Sequence, residues 1–242
     1  MIFMFGKKKI NNEDKKRKFN RPLVEPISYE SLSDDIAARA DRVSEEIKNG
    51  FTMIGTFDKS VTFWGSARTM PHEDDYKIAV ALAGKVANAG YTVVTGGGPG
   101  IMGAGNCGAH DAGGKSVGLT IKLPMEQKTN PCVSHYYDFH YFFTRKLCMA
   151  FAAEAYLFFP GGFGTLDELF EILTLVQTKK ITPAPVIILV GSHYWNDLDK
   201  FIKKQLLAKE KISEGDENLY TITDDHEEIL ELVRNAPFRK SA

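Results

Sequence analysis

Four short stretches of this chain carry residue types that could do chemistry together. The most telling is Pro160-Gly161-Gly162-Phe163-Gly164-Thr165-Leu166-Asp167-Glu168-Leu169-Phe170-Glu171, where glycines and a threonine hydroxyl precede three carboxylates. Glycines at a helix start expose backbone N–H groups that can surround a phosphate. A site that only gripped phosphate would gain nothing from acids so close by. A carboxylate beside a sugar ring, however, stabilises the oxocarbenium-like cation formed when an N-glycosidic bond breaks, and it can orient or deprotonate water. One helix start can therefore hold a 5′-phosphate and turn an anion, Glu168, toward the sugar, with Asp167 and Glu171 beside it. The plainer alternative is that these acids only complement the helix dipole.

The second stretch, Gly96-Gly97-Gly98-Pro99-Gly100-Ile101-Met102-Gly103, follows a β-rich run and leads into a helical one. It reads as a second phosphate cradle, with Gly97, Gly98 and Gly100 in the lining. Its Gly98-x-Gly100-x-x-Gly103 spacing invites a dinucleotide reading. That reading wants an acid at the end of the next strand, where this chain has Leu119-Thr120-Ile121-Lys122. No Gly-Lys-Ser/Thr follows the glycines, so a Walker A loop is excluded. The third stretch, Gly65-Ser66-Ala67-Arg68, allows a tight turn from which Ser66 and Arg68 can reach a polar ligand. The fourth, Thr144-Arg145-Lys146, supplies two cations, and Arg145 can pair in a two-pronged manner with carboxylate or phosphate.

These stretches sit at the joints of a repeating pattern. Short β-rich runs, 61–64, 91–95, 116–120, 155–159 and 186–190, alternate with helical stretches over 76–89, 102–112, 142–153 and 164–177. Such alternation predicts an α/β, Rossmann-like doubly wound parallel sheet with helices on both faces. Several runs are apolar throughout, as strands buried on both faces are. In such sheets ligands bind outside the carboxyl ends of the strands, where three of the four stretches fall. Further helices are predicted over 195–209 and 224–235. An earlier one is capped by Ser33, carries Ile36, Ala40, Val43 and Ile47 at helical spacing, and ends at Gly50. It should pack outside the sheet or against another subunit.

The chain has 242 residues with 30 basic and 31 acidic side chains, enough for one α/β domain, here residues 26–242, and giving no general attraction to long nucleic acid. Residues 1–25 carry Lys7-Lys8-Lys9 and Lys15-Lys16-Arg17-Lys18 with little apolar material and read as a disordered basic tail. The apolar opening at Met1 is too short for a signal peptide, and no stretch approaches the roughly 18 apolar residues that span a bilayer. Cys107, Cys132 and Cys148 are too few and scattered for a disulfide framework, which points to a reducing, cytoplasmic home.

Taken together, Gly96 through Met102, Arg145-Lys146 and the Pro160 to Glu168 element resemble the LONELY GUY (LOG) family, over roughly residues 58–200. That family comprises cytokinin riboside 5′-monophosphate phosphoribohydrolases and related nucleotide 5′-monophosphate nucleosidases, often mislabelled as lysine decarboxylases. The resemblance implies a Rossmann-like fold, no cofactor, and a homodimer or larger assembly whose site can borrow from a neighbouring subunit. By position it makes Arg145 and Glu168 the catalytic pair. It makes Lys146 and the run Gly161, Gly162, Phe163, Gly164, Thr165, Leu166 and Asp167 nucleotide-binding positions, with Glu126 and Thr174 as looser matches. The shorter glycine run and Phe142 before the Arg-Lys pair depart from the short plant-type pattern, whereas Gly98-Pro99-Gly100-Ile101-Met102 with Asn106, and Leu123-Pro124-Met125-Glu126-Gln127, look like a longer branch that includes broader nucleotide nucleosidases.

A pyridoxal phosphate decarboxylase needs a buried Schiff-base lysine and an acidic partner for the ring nitrogen, and no lysine here sits in such a setting. The six histidines show no metal-ligand spacing. Two classes therefore remain. The first is an enzyme releasing base and ribose 5-phosphate from a nucleoside 5′-monophosphate; the rival is a non-catalytic nucleotide or molybdenum-cofactor binding protein on the same fold.

Overall fold

A computed structural model describes residues 36–121 and 129–238. Seven strands form one fully parallel sheet. They are β1 (Ser60–Trp64), β2 (Thr92–Thr95), β3 (Ser116–Ile121), β4 (His135–Phe139), β5 (Ala155–Phe158), β6 (Val186–Leu189) and β7 (Thr221–Ile222). The helices are α1 (Ile36–Ile54), α2 (Asp74–Asn88), α3 (Ile101–Asp111), α4 (Phe142–Ala150), α5 (Phe163–Gln177), α6 (Ser192–Phe201), which runs on into a wider turn over Ile202–Leu207, and α7 (His226–Arg234). The described residues make one compact unit. The expected basic tail, the Ser33 cap and Glu126 lie outside the described residues.

The sheet order is β4-β3-β2-β1-β5-β6-β7. The chain winds outward from β1 to β4, then crosses back to place β5 on the other side of β1. That reversal opens a crevice at the carboxyl ends of β1 and β5, the place where open parallel sheets bind ligands. Alternation along β5 feeds both faces: Ala155 and Leu157 join the core under α2, α3 and α7, whereas Tyr156 and Phe158 join the core under α1, α4 and α5. Stacked rings bind β1 to β5, Phe63 on Phe159 at 5.7 Å and Trp64 on Phe158 at 6.1 Å.

Four expectations need correction. Helix α1 does not stop at Gly50, which lies buried inside it; a Cβ there would stand 2.6 Å from the Cys148 sulfur, so glycine serves close packing, not termination. Strands β4 and β7 were not expected. In β4, His135, Tyr136 and Asp138 are exposed, so an edge strand with one apolar anchor, Phe139, gives little sequence signal. The helix placed at 195–209 starts at Ser192 and widens after Phe201. Finally, Cys107 and Cys132 are joined in a disulfide across 25 residues, leaving Cys148 as the buried free thiol. With this pair joined, the scatter of the cysteines no longer points to a reducing home. Among the described residues no helix is long and apolar enough to cross a membrane.

Candidate active site

Three loops converge on the crevice and lock to one another through backbone atoms. Ser66 N–H donates to the Pro160 carbonyl at 3.0 Å, and Ile101 N–H donates to the Ser66 carbonyl at 3.0 Å. Gly100 sits at φ 68° with Ser66 and Ala67 backbone where a Cβ would be, so only glycine fits this crossing. The Ser66 hydroxyl accepts the Arg68 N–H at 3.0 Å, closing a small turn. Ser66 thereby shapes the loop while the exposed Arg68 stands at its rim.

The glycine loop after β2 is built on buried amides. Asn106, fully buried on α3, accepts from Thr95 Oγ1 at 2.6 Å and donates to Ser116 Oγ at 2.8 Å and the Val117 carbonyl at 3.2 Å. Thr95 Oγ1 in turn accepts the Gly97 N–H at 2.9 Å. From the far side Asn130 donates through its amide to the Gly98 carbonyl at 3.1 Å and to Asn106 Oδ1 at 2.8 Å, and through its N–H to the Gly97 carbonyl at 3.0 Å. The Cys107–Cys132 disulfide pins this Asn130 turn to α3. The Gly97 N–H, expected to meet phosphate, and the Ile101 N–H at the helix start are thus spent on the loop's own architecture, and the cradle is more a rigid wall than an open anion nest.

The start of α5 is left open, unlike those of α6 and α7. Neighbouring helix α6 has its first N–H groups satisfied by Asp224, at 2.6 Å from Gly191 and 3.1 Å from Ser192, and α7 is capped by Asp225. Helix α5 begins at Gly162 with no side-chain cap at all. Its orphan donors and the positive end of its dipole therefore face the crevice, as an anion site requires. Thr165 is buried and folds against Gly161, where a Cβ would lie 2.6 Å from the threonine Cβ. Gly162 and Gly164 have open space where a Cβ would point. Phe163 is 93% exposed.

Glu168, one turn further along α5, is 6% exposed. Burial pushes its carboxyl up to about 7, against the opposing pull of the Lys146 and Arg145 charges; Glu171 and Asp167 add to the rise. Arg145 comes from α4 and is half-buried. Desolvation lowers its affinity for the proton, while the nearby Glu168 charge works the other way. Its Nε is buried without a hydrogen-bond partner among the described residues, and its guanidinium lies over the Phe142 ring at 5.6 Å. Together with Gly96, Gly97, Gly98, Met102, Thr120 and Asp138, Arg145 and Phe142 line a cleft of about 180 Å³.

Not every expected residue faces a ligand. Lys146 Nζ is 2.8 Å from Asp167 Oδ2 and 3.3 Å from Glu171 Oε2, so in the free protein its charge is shared between two carboxylates. Leu166 packs against the core beneath α1, α4 and α5. Thr174 lies nine residues beyond Thr165 on α5, roughly 13 Å along the helix from it, and donates to the Phe170 carbonyl at 2.7 Å. Sequence reasoning missed Thr95 and Asn130, whose signal is only their polarity beside a glycine loop, and gave Asn106 no structural role. It also missed Asp138, which accepts a very short hydrogen bond from Thr120 at the cleft wall.

Comparison with known proteins adds to this picture. The family described as "Possible lysine decarboxylase" matches residues 102–233. The chain is similar to the cytokinin riboside 5′-monophosphate phosphoribohydrolase LOG3 of Arabidopsis thaliana, 32% identical over 163 residues, covering 66% of this chain and 74% of that one. It is also similar to the probable cytokinin riboside 5′-monophosphate phosphoribohydrolase LOGL6 of Oryza sativa subsp. japonica, 30% identical over 201 residues and 78% of each chain. Among solved structures, the molybdenum cofactor carrier protein of Chlamydomonas reinhardtii superposes with a TM-score of 0.54 at 21% identity, over 74% of this chain and 98% of that one. That likeness speaks to the fold.

Proposed function

The chain belongs to the LOG family, and from that premise we propose that it hydrolyses the N-glycosidic bond of a nucleoside 5′-monophosphate, AMP-like or a cytokinin riboside 5′-monophosphate, to a free base and ribose 5-phosphate. One observation carries the reading. A buried carboxylate, Glu168, stands one turn from an uncapped glycine-lined helix start, with the half-buried Arg145 beside it.

The 5′-phosphate binds the N–H groups at Gly162 to Thr165. This fixes the sugar so that its anomeric carbon faces Glu168. As the C1′–N bond breaks, the base leaves with the bonding electrons and the ionised Glu168 stabilises the cation at C1′. Water adds its oxygen to C1′ and gives a proton to Glu168, which passes it to the departing base. Arg145 favours the ionised form of Glu168, partly offsetting its burial, and holds it in place. Lys146 exchanges Asp167 and Glu171 for the incoming phosphate charge. No cofactor enters this scheme.

A decarboxylase forming a Schiff base needs a lysine with a lowered proton affinity. Lys146 has the reverse: burial works against its charge, but Asp167, Glu168 and Glu171 outweigh it and raise its pKa. A pure carrier of a nucleotide-like cofactor would bind phosphate without meeting the cost of burying Glu168. The exposed Phe143, Leu147, Phe163 and Phe170 on α4 and α5 support the expected homodimer or larger assembly. Substituting Glu168→Gln keeps the shape and removes the charge. Base release from AMP should fall by at least about 1,000-fold while AMP binding stays within a few-fold; undiminished turnover rejects the assignment.

A further inference from the structure

Helix α1 lies outside the matched stretch 102–233, yet it reaches the site through one side chain. Glu46 is 5% exposed, and both of its oxygens are engaged. Oε1 accepts the His140 N–H at 2.7 Å, and Oε2 accepts the Thr144 hydroxyl at 2.6 Å and the Tyr141 N–H at 3.3 Å. These donors surround the start of α4, and Thr144 immediately precedes Arg145. The helix supplies no side-chain cap of its own from Tyr141. One turn along α1, Gly50 brings the two helices into contact: a Cβ there would lie 2.6 Å from Cys148 Sγ on α4 and 2.8 Å from the Phe139 ring.

A Ser or Asp at position 141 would cap α4 locally without burying a charge. A buried carboxylate is costly unless fully hydrogen-bonded, and Glu46 meets that condition by tying α4 to a separate helix. We propose that Glu46 is a positioning residue, which braces the segment entering α4 from α1 and thereby sets where Arg145 stands relative to Glu168 and the crevice. The inference rests on the assignment of Arg145 and Glu168 made above.

The groups facing Glu168 are Arg145 and Lys146 from α4 and Asp167 and Glu171 from α5. If Glu46 holds Arg145 near Glu168, losing this brace withdraws a positive charge and Glu168 binds its proton more tightly. If Glu46 acted only through its own negative charge, losing it would move Glu168 the other way. The direction of the change therefore separates positioning from bare electrostatics.

The test compares wild type, Glu46→Ala and Glu46→Gln by kcat and KM for AMP across pH, and by 13C NMR titration of Glu labelled at Cδ. The Glu168→Gln variant identifies the Glu168 signal. Glu46→Ala should lower kcat on the order of 100-fold with little change in KM. The acid limb and the NMR titration of Glu168 should both move to higher pH. Glu46→Gln, which keeps one acceptor for His140 N–H, should show the same signs at smaller amplitude, and it decides the matter if the alanine variant does not fold. Folded variants whose limb and titration stay in place, or move to lower pH, overturn the proposal. If wild type releases no base, the NMR titration still decides the role of Glu46 and only the proposed reaction falls.

Discussion

The guanidinium of Arg145 rests against the bare backbone of Gly96: a methyl group there would stand 3.2 Å from Nη1 and 2.8 Å from the sulfur of Met102. Both neighbours are the far ends of flexible side chains, so Gly96→Ala should fold with a melting temperature within a few degrees of wild type. It should nevertheless shift Arg145 and lower kcat by roughly 10-fold or more, since small displacements of an orienting group are amplified in the rate. Steady-state kinetics beside a thermal melt check this, and a variant with unaltered kcat would detach Arg145 from the reaction.

The glycines at the start of α5 separate steric from ligand effects. At Gly161 a side chain would collide with Thr165, whereas Gly162 and Gly164 have room in the free protein. Gly162→Ala should therefore leave stability unchanged and still raise KM for AMP at least about 10-fold, because the added methyl meets only the incoming phosphate. Gly161→Ala should lose both stability and affinity. An unchanged KM in Gly162→Ala would place the phosphate elsewhere.

Glu168 makes stability and activity run in opposite directions with pH. Its folded-state carboxyl sits at about 7, above the 4.5 of an ordinary glutamate, so the folded state holds this proton more tightly. The fold is least burdened below pH 4.5, and stability declines as pH rises through 7 and the buried charge forms. Glu168→Gln removes the burden and should stabilise the protein by about 1–3 kcal/mol at pH 8, and by little at pH 4.5. The reaction needs the ionised form, so wild-type kcat should climb with an apparent pKa near 7. Denaturant melts at the two pH values and a pH–rate profile read out both halves.

Much of this was legible in the sequence, for reasons of chain distance. Strands β1, β2, β3, β5 and β6 are local apolar runs, and the glycine loops and Glu168 lie within single motifs, so nearby residues suffice to identify them. Glu46 and Thr144 are 98 residues apart, and Asn130 reaches Gly98 across 32. Such pairings exist only after α1 docks on α4 and the Asn130 turn folds back over α3. The Cys107–Cys132 bond belongs with them, because its spacing matches no motif and depends on that same turn.

That bond yields a further expectation. It closes a 25-residue loop and holds the turn whose Asn130 grips the Gly97 and Gly98 carbonyls. Opening it with a dithiol reductant, or by Cys107→Ser, should cost on the order of 3 kcal/mol of stability. The melting temperature should drop and KM for AMP should rise as the glycine wall loosens, while the buried Cys148 stays unmodified. A melting temperature indifferent to reductant contradicts this role.

The central claim is that an uncapped helix start grips one phosphoryl group while Glu168 faces the anomeric carbon. The most direct test is to incubate the purified protein with a panel of nucleoside 5′-monophosphates and quantify products. Free base and ribose 5-phosphate should appear in equal amounts, with the corresponding nucleosides left intact. Tight binding of a nucleotide or of the molybdenum cofactor with no base released from any member of the panel would contradict the account and leave the fold serving as a carrier.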